Sequence, residues 1–278
     1  MRKATLILLA LGLVVASTAY ASNAVRISQV YGNGGNYYKC DYVELFNSSC
    51  APVNIGGWSL QYGSATGTFG GGGGTNTYAN YAMIPAGTMI PACGYYLIKG
   101  YCGTVGADLP VTADLVAVPP FNGSGSNGKF VLFSDQVVGR DCVAAKASPS
   151  YVDLVGYGSA TCYEGTGAAP AGTTTTVLVR ANGGMVDTDV NSADLANQAQ
   201  PWPMHTAASG YVNPDCMINC PGACCLRANP GACIFVPVGE CNLQNGIFLG
   251  VGVLCDFGLC VEVPATKTSW GQIKTIYR

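Results

Sequence analysis

Asp187, Asp189, Asn191 and Asp194 carry oxygen-bearing side chains at near-alternate positions, and no other stretch of the chain is better equipped for chemistry. Such oxygens suit Ca²⁺, which takes six to eight of them at about 2.3–2.6 Å. The glycine and the distal bidentate glutamate of a helix–loop–helix calcium loop are both missing here. Asp and Asn also stabilise turns by bonding their own backbone. Two readings therefore stand for these four residues, a calcium site and a turn, and calcium is the one candidate cofactor.

Other reactive residues are sparse. His205 is the single histidine, so any Ser-His-Asp or Cys-His arrangement would have to use it. It sits in Gln200-Pro201-Trp202-Pro203-Met204-His205, a proline-punctuated linker rather than a catalytic setting. Glu44 and Glu164 are the two glutamates of the first 207 residues, and paired carboxylates could hydrolyse glycosides. Nothing in the sequence brings them together. Glu44 alternates with Val43 and Leu45, so it is expected to face outward or to pair with Arg26 or Lys39. The run Gly70 to Gly74 lacks the Lys-Ser/Thr ending and the helix of a phosphate-binding loop, and reads as a flexible loop. Tyr37, Tyr38, Tyr62, Tyr78 and Tyr81 could offer exposed aromatic platforms for glycan or protein, although tyrosine is also a good strand former. No catalytic residues are assigned.

The elements that must position these residues read as strands. Segments 25–31, 42–47, 58–62, 94–99, 128–133, 152–157 and 174–179 are short, rich in β-branched and aromatic residues, and separated by Gly, Asn and Pro turns. Several alternate apolar and polar positions, the mark of a half-buried strand. About seven such strands without a convincing helix describe an all-β sandwich.

Residues 1–21 read as an export signal. Arg2 and Lys3 precede an apolar run over residues 5–15, and Ala19-Tyr20-Ala21 is a cleavage pattern. The run is too short to cross roughly 30 Å of hydrocarbon as a helix. Loss of the two basic residues takes the net charge from −2 to −4, too acidic and too sparse in Lys and Arg for a nucleic-acid partner. Fourteen cysteines behind an export signal read as disulfides formed in an oxidising compartment. Six lie before residue 163 and eight between 216 and 260, and both counts are even, so each region can pair within itself. The connectivity stays open.

Residues 22–207 then form the sandwich and 208–262 a small cysteine-rich module, which must be held by cross-links because it is too short to bury a core of its own. The tail, 263–278, has no cysteine. It spaces Trp270, Ile273 and Tyr277 at i, i+3, i+7 behind possible caps Thr268 and Ser269, and as a helix it would need a partner surface.

The runs DYVELFN (41–47), GGWSLQYGSATGT (56–68), IPAG (84–87), GYYLIKG (94–100), GKFVLFSD (128–135), VDLVGYGSATCYEGTGAAPA (152–171) and VLVRANGGMVDTDVNSADL (177–195) resemble the lamin-tail domains of secreted bacterial proteins, in that family's order. The resemblance implies an immunoglobulin-like β-sandwich followed here by a small disulfide-rich module. It brings no catalytic residues, because such domains stand in surface proteins or accompany extracellular enzymes such as nucleases. Two departures stand out: Leu195 replaces the family's usual Phe, and Met185-Val186 stands where a cysteine often precedes the acidic segment. GACCL (222–226), GAC (231–233), GEC (239–241) and NGIFLGVGVLC (245–255) are similar to a cysteine-rich module of secreted bacterial proteins, and SWGQIKTIYR to C-terminal tails that suggest sorting or attachment.

The expected protein is thus a non-catalytic extracellular or cell-surface component contacting protein or glycan, with no transmembrane segment. The alternatives are an accessory substrate-binding module for an extracellular nuclease or polysaccharide-degrading system, and a metal-dependent hydrolase using Asp187 to Asp194.

Overall fold

The computed structural model describes residues 24–32, 37–71, 79–173, 175–199, 210–229, 231–256 and 259–260. The export signal, Tyr78, His205, the tail and most of the five-glycine run lie outside them. In chain order the first strands are β1 (Val25–Tyr31), β2 (Cys40–Asn47), β3 (Val53–Asn54), β4 (Ser59–Gly63), β5 (Tyr81–Met83) and β6 (Met89–Ile90). They continue with β7 (Tyr95–Cys102), β8 (Leu115–Val116), β9 (Gly128–Phe133), β10 (Tyr151–Tyr157), β11 (Thr176–Arg180) and β12 (Leu195–Ala199). A six-stranded sheet runs β12-β11-β1-β2-β7-β8 and a four-stranded sheet β10-β9-β4-β5, while β3 and β6 form a separate pair. The expected sandwich is there.

Alternation decides what lies between the sheets. Ile27, Leu45 and Ile98 of the larger sheet and Leu60, Phe130, Leu132 and Val155 of the smaller share one buried cluster. Each side chain fully removed from water contributes about 1.5–3 kcal/mol. Summed over such a cluster, that outweighs the disulfides of the sandwich, so packing holds this part together. One-turn helices α1 (Cys142–Lys146) and α2 (Asn191–Asp194) punctuate the loops, where no helix was expected; Asp141 caps α1 by accepting the Ala144 N–H at 2.8 Å.

The outer face of the larger sheet is also covered, which corrects two sequence-based expectations. Tyr31, Tyr38, Tyr42, Leu97, Val177 and Val179 bury one another there under Leu109 and Val111. Tyr38 is therefore an interior residue, Tyr62 of the smaller sheet is buried between the sheets, and Tyr37 and Tyr81 are half-buried, so these four form no exposed platform. Glu44 does not face outward either. It is fully buried and accepts the Ser28 hydroxyl at 2.6 Å. Arg26 instead reaches the Met185 carbonyl and the Ser48 hydroxyl, and Lys39 pairs with Asp108.

The cysteine-rich region is built from α3 (Pro214–Met217), β13 (Pro221–Cys225), β14 (Cys233–Pro237), α4 (Val238–Leu243) and β15 (Ile247–Val251), with strand order β14-β13-β15. Cys224–Cys241, Cys225–Cys260 and Cys233–Cys255 stay within it, and Cys40–Cys102 and Cys142–Cys162 stay within the sandwich. Cys50–Cys220 and Cys93–Cys216 cross between the two. Even counts thus did not make each region self-contained. The reason is packing: Cys93, Cys216 and Cys220 are buried with Phe46 and Tyr95, which α3 covers. Asn213, capping α3, donates to the Tyr95 hydroxyl at 3.1 Å and extends the joint.

Candidate functional site

Strand alternation places two charges where apolar residues belong. Arg180 follows Leu178 on the inner face of β11, and Asp153 precedes Val155 on the inner face of β10. They meet across the interior, Arg180 Nη2 lying 3.1 Å from each Asp153 oxygen, with the Arg180 side chain 0 % exposed. Both serve the backbone of Ile27. Arg180 Nε donates to its carbonyl at 3.0 Å, and its N–H donates to Asp153. The β1–β11 ladder registers only at Gln29–Val179 and Val30–Leu178, so side chains take over where it stops. An unpaired buried backbone group would otherwise be costly.

The acidic stretch closes around this pair. Beyond β11 the chain reverses through residues 181–184, where Gly184 adopts φ +99° and a Cβ would meet the Phe46 ring at 2.9 Å. The reversal brings Asp187 Oδ1 to 2.8 Å from Arg180 Nη1, and Asp194 Oδ2 lies 3.3 Å from the same nitrogen. Asp194 also accepts the Thr188 N–H at 2.9 Å and its hydroxyl at 2.7 Å. Asn191, fully buried, donates to the Leu154 carbonyl and to Glu164 Oε2, while its own oxygen accepts the Gly156 and Glu164 N–H groups. Asp189 is exposed, with φ +55°.

Of the four expected ligand residues, Asp187 and Asp194 share Arg180 Nη1, Asn191 bonds β10 and Glu164, and Asp189 is exposed. Among the described residues, the carboxylates that do gather within 4.8 Å are those of Asp153, Glu164 and Asp187, one of the four with two residues from elsewhere. The Arg180 guanidinium pairs with Asp153 and Asp187 of this group and with Asp194 beside it, while Asn191 joins β10 to Glu164. Glu44 and Glu164 share no partner: one lies under the outer face of the larger sheet, the other beside Tyr151 and Asn191.

The electrostatics follow from burial. Removal from water, together with neighbouring Asp153, pushes the Glu164 pKa up to about 8, against the Tyr151 hydroxyl and Arg180, which pull it down. Burial likewise raises Asp187 above its ordinary value despite Arg180. Burial alone would lower Arg180, but Asp153, Asp187, Glu164 and Asp194 together hold it above its usual range. Tyr151 stays a protonated donor, raised by burial and by Glu164. A cleft of about 240 Å³ lies against the cluster, lined by Val25, Arg26, Tyr151, Val152, Asp187 and Asp189. Glu164 does not line it, and both of its oxygens are engaged within the protein. The arrangement can lock two sheets and a loop together, and it leaves the Asp189 carboxylate exposed at the cleft.

Arg180, Asp153 and Tyr151 escaped the sequence reading. Their signal was present, since Val177-Leu178-Val179-Arg180 and Val152-Asp153-Leu154-Val155 each carry one charge at a position alternation would bury.

The lamin tail domain model matches residues 18–191, more than half of the chain. No curated protein matches it by sequence. The crystal structure of a DUF4876 family protein from Bacteroides thetaiotaomicron is similar over 69 % of this chain and 75 % of that one, at 9 % identity and a TM-score of 0.45. With an all-β sandwich under that match, this chain belongs to the lamin tail domain family.

Proposed function

We propose that the chain is a non-catalytic extracellular or cell-surface protein whose lamin tail domain mediates protein or glycan contacts. One observation carries this reading: all fourteen cysteines are paired, in seven disulfides that run through the sandwich, the module and the joint between them. Such cross-linking persists where the surroundings are oxidising. The export-signal reading of residues 1–21 agrees with it, and no helix among the described residues is long and apolar enough to cross a membrane. The best-furnished polar cluster is spent on internal bonds, which favours a contact module over a hydrolase.

The purified full-length protein, added to a glycan array and to intact envelopes of the producing cells, should bind at least one of them saturably. The reading is overturned by no binding to either together with turnover of model phosphodiesters that depends on a divalent metal.

A further inference from the structure

The cysteine-rich sheet leaves apolar side chains exposed on one face, beside the Cys225–Cys260 and Cys233–Cys255 bridges that rise from that same face. In its register Ala223 pairs with Phe235, and Cys225 pairs with both Cys233 and Ile247. Alternation therefore puts Phe235, Ile247 and Leu249 on a single side, where they are 45, 46 and 39 % exposed. The opposite side is covered, because Cys224 is tied there to Cys241 of α4 and the Phe248 ring lies against Gly222. Leu254 and Leu259, also exposed, flank Cys255 and Cys260, the partners of Cys233 and Cys225 on this face. Contiguous apolar surface of this kind marks a contact site.

We propose that the occupant is the chain's own C-terminal segment, residues 261–278. Cys260 is bonded to Cys225, so the segment starts from the apolar face itself. Its eighteen residues carry Trp270, Ile273 and Tyr277, at a spacing that one helical turn after another would bring to one side. Even at a helical rise of about 1.5 Å per residue the segment exceeds the roughly 10 Å across three strands. Charge agrees with the assignment. Asp256 follows the strand that bears Ile247 and Leu249, beside Cys255, and the segment holds Lys267, Lys274 and Arg278 against Glu262 alone. A tether this short supplies an effective concentration on the order of millimolar, so a modest apolar contact suffices within one chain where a second copy would need high concentration. The proposal is independent of what the sandwich binds.

Trypsin cleavage after Lys267 and Lys274 of the folded full chain reads the contact directly. Phe235→Ser/Leu249→Ser removes two exposed side chains, and Val105→Ser is a control at an exposed residue of the sandwich. The peptides 268–274 and 275–278 should be released about tenfold faster from the double variant than from wild type or the control, because cleavage there requires the segment to open. Equal rates in all three proteins overturn the proposal. So does wild-type protection that grows with protein concentration, the mark of a second copy on this face.

Discussion

Arg180 Nη2 and the Asp153 carboxylate lie 3.1 Å apart inside the sandwich, one carried by each sheet. Neither charge has water to fall back on, and Asp194 is as deeply buried beside them. Replacing a buried pair by apolar residues is often tolerated, but removing one partner strands the other, at about 3–5 kcal/mol. Arg180→Met should lower stability by that amount in guanidinium unfolding. Arg180→Met/Asp153→Leu should lose less than the sum of its single variants, since the two share one interaction. An unchanged midpoint for Arg180→Met would show that the pair is not structural.

Glu164 predicts an unusual pH dependence. Its pKa is near 4.5 when unfolded and about 8 in the fold, so between those values the folded state holds a proton that the unfolded state has lost. Stability is then full below about 4.5 and declines as pH rises through 8. Asp187, also raised, acts in the same sense. Asp135, lowered chiefly by its bond to Arg140, acts oppositely and only as pH falls below its ordinary range. Melting temperature measured from pH 5 to 8.5 should fall in the wild type and stay flatter in Glu164→Gln. Parallel curves for the two proteins would refute the assignment.

The calcium reading has a direct test. Because Arg180 stands among the carboxylates of Asp153, Asp187 and Asp194, a cation would have to enter against a fixed positive charge. EGTA should leave the melting curve where it is. A clear drop, restored by added Ca²⁺, would return Asp187, Asp189, Asn191 and Asp194 to consideration as ligands.

The crossing bridges can be read by mass. Trypsin without reductant should give one species of four peptides, in which 40–99 is joined to 181–227 through Cys50–Cys220 and Cys93–Cys216, with 100–129 held by Cys40–Cys102 and 228–267 by Cys224–Cys241 and Cys225–Cys260. Reduction should separate them. Recovery of 40–99 and 181–227 unlinked before reduction would mean that sandwich and module are not cross-linked to each other.

The strands were legible because their evidence is local. Val25-Arg26-Ile27-Ser28 and Tyr42-Val43-Glu44-Leu45 alternate within a few residues, and alternation plus turn residues is enough to name a strand and, with the family motifs, a sandwich. Asp194 acts locally, on the backbone of Thr188, whereas Asn191 reaches back to Leu154, Gly156 and Glu164, which no local pattern announces. What the strands would press against was not legible either. Glu44 reads as outward until Tyr42 and Phe46 beside it turn out to be covered, and Cys216 reads as part of a separate module until α3 packs on Tyr95. Arg180 finds Asp153, 27 residues earlier, through the stacking of two sheets, and no spacing along the chain encodes that distance. Local patterning settled which segments extend and which residues bend them; only the packing of one layer on another, where burial forces every charge to find a partner, decided which side chains meet.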